Sequence, residues 1–332
     1  MTPSTATLRL SVPVYGRGLH STTYPVLGIP VRYESDSAEV LQVAEEAFGG
    51  WRGAPVSAEW AGADPVAVRI HLTLGHELAG PPAKVRVRLR EPGGLSLRAP
   101  GLRAFADVGR RRAVARVTTG MLKHRAHFRY AVLEAMTLFI LTRLDREPIH
   151  AAAVVRGGTA LLLAGPGGVG KSTLTYAARR AGLGVLSEDC VFLQEAPAPR
   201  VWGFPGFVHL HPDAVRWFPE LAGTSALIRN NGDLKLAVRS EGPVVGVERA
   251  GICLLARGPV PGIQRLPAAE IERALVENLE EGFDLFAGSI GPRVRRLAEH
   301  GGWRLTLPAS PADAVPMLAR MLDALDAGQS ME

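Results

Sequence analysis

The sequence predicts an α/β (α+β) chain in two unlike parts, and three observations carry that prediction. Residues 1–145 are crowded with alternating, strand-like segments. From Pro148 onward apolar strands alternate with helical patterns. Between the two halves of that later pattern, "TALLLAGPGGVGKSTLTYAARRAG" runs a continuous apolar strand straight into a glycine loop and then a helix. The reading is a smaller β-rich α+β domain at 1–145, followed by a second domain at 146–332 built around that loop.

In the first part, Val66, Val68, Ile70, Leu72 and Leu74 alternate with Ala67, Arg69, His71 and Thr73. Val85, Val87 and Leu89 alternate with Lys84, Arg86 and Arg88. A period of two leaves one face buried and one wet, as in an antiparallel sheet packed on one side. "SDSAEVLQVAEEAF" reads as a short helix with Ser and Asp placed to cap its exposed amides. "GRRRAVARVTTG" reads as a further strand. A continuous helix is expected from about His124 to Asp145, with Val132, Met136, Phe139 and Ile140 on one stripe.

In the second part, "IHAAAVV", a Gly-Gly turn and "TALLLAG" predict a hairpin that feeds the loop. The helix after it should end at Gly182, where a left-handed residue is needed. "LGVLSEDCVFLQ" is a strand pair or one bent strand, and "ERAGICLLARG" a later strand. Helices are expected over 270–287 and 311–326, the second with Ser310, Pro311 and Asp313 at its start.

Composition narrows the setting. Hydrophobic residues make up 47% of the 332 and charged ones 21%, which describes a globular chain. The start, "MTPSTATLRLSVPVYGRG", lacks a basic stretch followed by an apolar core, and "YAVLEAMTLFILTRL" is too short and amphipathic to span a bilayer. With two cysteines, Cys190 and Cys253, both inside apolar runs, the chain suits the cytoplasm and free thiols. The net charge of +6 admits an anionic partner without choosing one.

The loop fits G-x-x-x-x-G-K-[ST] in the required strand–loop–helix context. Gly165, Gly167, Gly168 and Gly170, with Val169 between, let backbone amides turn toward phosphate oxygens without a Cβ in the way. Lys171 reaches the β- and γ-phosphates, the Ser172 hydroxyl is placed for Mg²⁺, and Thr173 follows in the helix's first turn. ATP and Mg²⁺ are the cofactors implied. Soon after comes the pair Glu188 and Asp189. Near a γ-phosphate, one carboxylate can hold Mg²⁺ and another can accept a proton from an attacking hydroxyl. Neighbouring strand residues point oppositely, so both face one site only if the strand ends or bends there.

Taken together, "PIHAAAV", "GPGGVGKST" and "VLSEDCVFL" resemble, in order and spacing, the catalytic domain of the HPr kinase/phosphorylase family and its HPr-kinase-related relatives, over about residues 146–260. That resemblance implies a P-loop fold akin to phosphoenolpyruvate carboxykinase, and a serine kinase. It implies Lys171 and Ser172 on the phosphates and Mg²⁺, and Asp189 close to the metal. It implies Glu188, in place of the family's first Asp, as general base tuned by His150. In "RNNGDLKLAV", Lys235 is a candidate to neutralise transferring phosphate charge, as is Arg229. His209 and His211 share a strand face and could bind a metal, with no third ligand nearby. "HLHPDAVRWFPEL" reads as acceptor pocket or core, and Lys123, His124, Arg125, His127 and Arg129 as a helix's wet face.

The expected activity is ATP- and Mg²⁺-dependent phosphorylation of a hydroxyl, a Ser of a protein or a ribosomal peptide, with the N-terminal domain selecting the acceptor. The rivals are a small-molecule kinase on the same scaffold and a nucleotide-sensing or nucleic-acid-binding regulator using the basic strands at 84–90 and 109–116. Neither a membrane nor nucleic acid is the expected partner. A homo-oligomer is compatible with the sequence.

Overall fold

In a computed structural model the protein is described over residues 18–75, 80, 82–204, 206–228, 233–240, 246–277, 287–299 and 301–328. Seven strands form the first sheet: β1 (His20–Val26), β2 (Ile29–Ser35), β3 (Val66–Thr73), β4 (Arg86–Arg90), β5 (Gly94–Ala99), β6 (Leu102–Asp107) and β7 (Arg112–Thr118), in the order β1-β2-β3-β7-β6-β5-β4. The expected alternation is present in β3, where Val66, Val68 and Ile70 are buried, but not in β4, where every residue is exposed because this strand ends the sheet, and the sheet is mixed rather than antiparallel. β2, β3 and β7 run parallel, because α1 (Ala38–Phe48) carries the chain back across between β2 and β3.

The buried face of this sheet, including Val66, Val68, Ile70, Leu97, Ala115 and Val117, packs on helices from 119–141. A separate short helix, α2 (Thr119–Lys123), precedes His124, and the single helix expected from His124 to Asp145 is instead three consecutive pieces ending at Leu141: α3 (Arg125–Phe128), a π-helical turn over 129–134 and α4 (Ala135–Leu141). The apolar stripe is where periodicity put it, with Val132, Met136 and Ile140 fully buried. The break at His124 has φ −88° and ψ 61°, outside helical values. The wider π turn changes the rotation of the residues after it relative to those before.

The remaining strands are β8 (Glu147–Ile149), β9 (Ala152–Arg156), β10 (Thr159–Ala164), β11 (Gly184–Ser187), β12 (Val191–Gln194), β13 (Arg200–Trp202), β14 (Phe207–Leu210), β15 (Ala226–Ile228), β16 (Leu234–Arg239), β17 (Gly246–Val247), β18 (Arg249–Ala256), β19 (Gly262–Leu266) and β20 (Gly302–Thr306). The helices are α5 (Lys171–Arg180), α6 (Ala268–Glu277), α7 (Ala287–Leu297) and α8 (Pro311–Asp326). They build three sheets, ordered β11-β9-β10-β18-β20-β19, β17-β13-β12-β8 and β14-β16-β15. The hairpin β9–β10 turns at Gly157 and Gly158, both with positive φ, which a two-residue type I′ connection requires. β10 lies between β9 and the parallel β18 and is buried on both faces. Leu161 and Leu163 face the α5 and α8 side, while Ala160, Leu162 and Ala164 face α6 and α7. The 311–326 helix is where predicted; only 270–277 of the earlier helical prediction lies in α6, and 278–286 lie outside the described residues.

The two parts of the chain share apolar core. Phe192 and Trp202 belong to the same cluster as β1–β3, β5–β7 and α1. Gly28 is required at that contact, since a Cβ there would stand 2.5 Å from the Trp202 ring. Arg146 is fully buried alongside, donating to the Leu27 carbonyl at 2.7 Å, Ser57 Oγ at 3.0 Å and Glu59 Oε1 at 2.8 Å. Both cysteines are free thiols, Cys253 buried and Cys190 half-buried, and loss of solvation at the sulfur pushes both well above the ordinary thiol range. Neither should react with iodoacetamide at neutral pH in the folded chain, which mass spectrometry of the labelled protein checks. Among the described residues no helix is long and apolar enough to cross a membrane.

Candidate functional site

The site begins where β10 ends. Gly165 (φ 152°), Gly168 (φ 76°) and Gly170 (φ 122°) hold backbone conformations that a side chain resists, and a Cβ on Gly168 would meet only open space. Gly167 and Gly168 are exposed, while Val169 is buried and anchors the loop to the β10–β18 core. Lys171 starts α5, is buried, and donates to the Gly165 carbonyl at 2.6 Å, so its ammonium sits in the mouth of the loop. Thr173 faces outward on α5's first turn beside the loop glycines. Arg257, just past the end of β18, donates to the Val169 carbonyl at 3.0 Å. The loop glycines, the α5 N-terminus, Lys171 and Arg257 therefore concentrate amides and positive charge at one point, which suits polyphosphate.

The acidic pair sits on a turn, as the need for two acids at one site demands. β11 stops at Ser187, Glu188 and Asp189 form a bend, and β12 continues in a different sheet. The expected partners are crossed. Glu188, expected as the base tuned by His150, is buried, accepts from Ser172 Oγ at 2.7 Å and bonds His209 Nδ1 at 3.0 Å. Asp189, expected beside the metal serine, is half-exposed, 3.5 Å from His150 Nδ1. Consecutive side chains leave an extended backbone on opposite sides, and the register decides which goes where. β8 pairs with β12 so that Ile149 lies opposite Val191, which carries the next residue, His150, to the Asp189 end of the turn.

One glycine fixes the height of this turn. A Cβ on Gly203 would stand 1.9 Å from the Leu186 carbonyl oxygen, two residues before Glu188. Gly203→Ala is expected to push β11 away and cost about 1–3 kcal/mol, read as a lowered melting temperature.

Two cavities flank the site. The larger, about 490 Å³, lies between the π turn and the acidic bend, lined by Tyr130, Phe139, Phe192, Phe204 and Phe207 as well as Glu188, Asp189 and His209. Its charged wall is an internal pair, Arg129 Nε donating to Glu134 Oε1 at 2.7 Å. Burial raises the Glu134 carboxyl above its ordinary range, against the opposing pull of Arg129. The smaller, about 260 Å³, is lined by Gly168, Gly170, Thr173, His211, Trp217 and Arg257. Lys235 on β16 has its Nζ 2.8 Å from His211 Nε2, and His211 lines the smaller cavity together with the loop glycines Gly168 and Gly170. Arg229 lies outside the described residues. His209 and His211 do not act together: His209 is on β14 and turns to Glu188, while His211 lies past the strand's end with Lys235.

Sequence reasoning undervalued His209 and missed Arg257 and the ring-lined cavity. Val208 and Leu210 pack on α5, so alternation alone assigned His209 to the other face; what stood opposite that face was not visible. Arg257 follows the apolar strand β18 as the glycine loop follows β10, and strand ends of a parallel pair gather at one edge.

For Mg²⁺, the donors present are hard oxygens: the Ser172 hydroxyl and the Glu188 and Asp189 carboxylates. Adjacent ligands of an octahedral ion with bonds of about 2.0–2.1 Å stand roughly 3 Å apart, and Ser172 Oγ and Glu188 Oε1 are 2.7 Å apart. These two residues fit the ion. Among the described residues no three His, Cys, Asp or Glu side chains gather to hold a metal.

No protein-family model and no curated protein matches this sequence. Among solved structures, the chain has a distant structural likeness to the HPr(Ser) kinase/phosphatase from Coxiella burnetii, at 13% identity and a TM-score of 0.30, over 55% of this chain and 98% of that one.

Proposed function

We propose that this chain is an ATP- and Mg²⁺-dependent kinase that transfers the γ-phosphate to a hydroxyl, a serine of a protein or ribosomal peptide. The observation that carries the reading is Glu188 and Asp189 on one bend. That bend stands between the glycine loop, reached through Ser172, and a 490 Å³ cavity open to an acceptor. A nucleotide switch or simple phosphate-binding loop has no use for a ring-lined chamber on the far side of its acids.

In the mechanism, the loop amides and Lys171 bind the phosphates and Lys171 offsets charge on the transferring group. Ser172 and Glu188 would hold Mg²⁺, with His209 keeping the Glu188 carboxylate in place. When bound, the ion neutralises charge on the β- and γ-phosphates. Asp189 takes the acceptor's proton and His150 steadies the carboxylate. The smaller cavity, with Trp217 and Arg257, accommodates the rest of the nucleotide.

The test is labelled ATP with a peptide array and a metabolite panel, against wild type and Lys171→Ala. Transfer to serine peptides, lost in Lys171→Ala, is the expected result; nucleotide turnover unchanged in the variant overturns the loop assignment. A second reading, a small-molecule hydroxyl kinase, is favoured by the cavity's volume, which lies within the usual ~300–1,000 Å³ of small-ligand sites. Transfer to metabolites alone would select it.

A further inference from the structure

The outer face of the N-terminal sheet carries an arrangement that neither folding nor the proposed kinase site requires. Register places Arg86 opposite Arg98, Arg98 opposite Arg103, and Arg103 opposite Arg116, with His71 next in the row. Directly paired residues share a face, about 4.8 Å apart across each strand, and like charges so placed repel. Arg88 and Arg90 extend the same face along β4. Among the described residues, Arg86, Arg88, Arg90, Arg98 and Arg103 have no carboxylate within ion-pairing distance. At the centre, Ser96 stands opposite Arg88 and Phe105, is only 7% exposed, and its Oγ has no hydrogen-bond partner.

Edge strands often carry charge to prevent unwanted pairing. That explains β4, at the sheet's end, but not a row that continues three strands inward where no edge needs guarding. Nor does it explain the other face of β4, where Val87 and Leu89 are 60% and 47% exposed. Among the described residues no strand pairs with the outer side of β4, so it offers an edge with arginines on one side and bare apolar side chains on the other.

We infer that the β4 edge binds an extended acidic peptide segment as an added strand. Its alternate Asp or Glu residues would face the arginine row and its apolar residues would cover Val87 and Leu89. Single-stranded nucleic acid is the less suited polyanion. Sheet faces that bind it stack bases on several rings, and on this face Phe105 is the one phenyl ring among the described residues. The inference stands independently of phosphotransfer, and its test uses no nucleotide.

The test is fluorescence anisotropy of the full chain with a short labelled peptide alternating Glu and Val. Binding that weakens with salt is expected. The triple variant Arg86→Glu, Arg88→Glu, Arg90→Glu should lose at least about tenfold in affinity and gain binding to the matching Lys-Val peptide. N-methylating one alternate set of peptide amides should abolish binding while the other set tolerates it, because a strand pairs through every second residue. Absence of binding, equal tolerance of both N-methylated sets, or tighter binding of an oligonucleotide of equal charge would each overturn the proposal.

Discussion

Asp189→Asn is expected to cut phosphoryl transfer by roughly 10²–10⁴-fold while leaving the magnesium concentration for half-maximal activity unchanged. Glu188→Gln should do the opposite in kind, raising the magnesium requirement before it lowers the maximal rate. The reason lies in which oxygen each carboxylate faces. Glu188 shares its Oε1 with the Ser172 hydroxyl at 2.7 Å, while Asp189 stands at the cavity wall beside His150. On the proposed reading, removing charge at Glu188 weakens a ligand and removing it at Asp189 deletes a proton acceptor. Steady-state rates over a magnesium titration separate the two effects. If instead Asp189→Asn shifts the magnesium dependence and Glu188→Gln leaves it alone, the roles revert to those the family resemblance implied. His150→Asn should follow Asp189→Asn in direction with a smaller loss, since it steadies the base without touching the acceptor.

Arg146→Met is expected to lower unfolding stability by about 3 kcal/mol, measured by urea titration. The side chain is wholly buried, and its guanidinium satisfies the Leu27 carbonyl, Ser57 and Glu59 from the first part of the chain, beside the Trp202 ring. Methionine fills most of the volume but leaves those acceptors without a donor. Burial raises the Glu59 carboxyl, but the Arg146 bond and charge, together with the bonds from its own backbone amide and Ser57, outweigh this and leave it below its ordinary range. A carboxyl depressed on folding stabilises the protein above its unfolded value, and that contribution is lost as pH falls through the folded value. The wild type should therefore lose stability in acid through this pair, and Arg146→Met should have a flatter acid limb. Adding Glu59→Gln should recover part of the loss, because the two changes share one interaction. A cost below about 1 kcal/mol would show that the two parts do not depend on this clamp.

Much of the architecture was legible from local pattern. Period-two alternation located β3 and β7, the Gly-Gly pair located the β9–β10 turn, and Gly182 marked the end of α5, where Leu183 N reaches back to the Ala178 carbonyl at 3.0 Å. These signals are short-range, set by sterics and by which face must be dry. Parallel pairing of β2, β3 and β7 was not legible, because alternation is the same in either direction. The helix expected from His124 was interrupted for a similar reason. Hydrophobic spacing tolerates a π turn, and the buried Arg129–Glu134 pair that sits across it comes from packing against the cavity.

At the candidate site, sequence alone determined the composition: a glycine loop that can turn its amides inward, a lysine and a serine at the head of a helix, and two acids on the next strand. It also determined that those acids must lie at a bend if both are to be used. Tertiary structure alone decided the pairing. The β8–β12 register brings His150 to Asp189, and the β14 strand brings His209 to Glu188 from about twenty residues away. A contact between adjacent residues and distant strands depends on register, and a shift of one residue exchanges every partner across it. That is why residue types could be read from the chain, while which histidine stands beside which acid was decided only by the sheets.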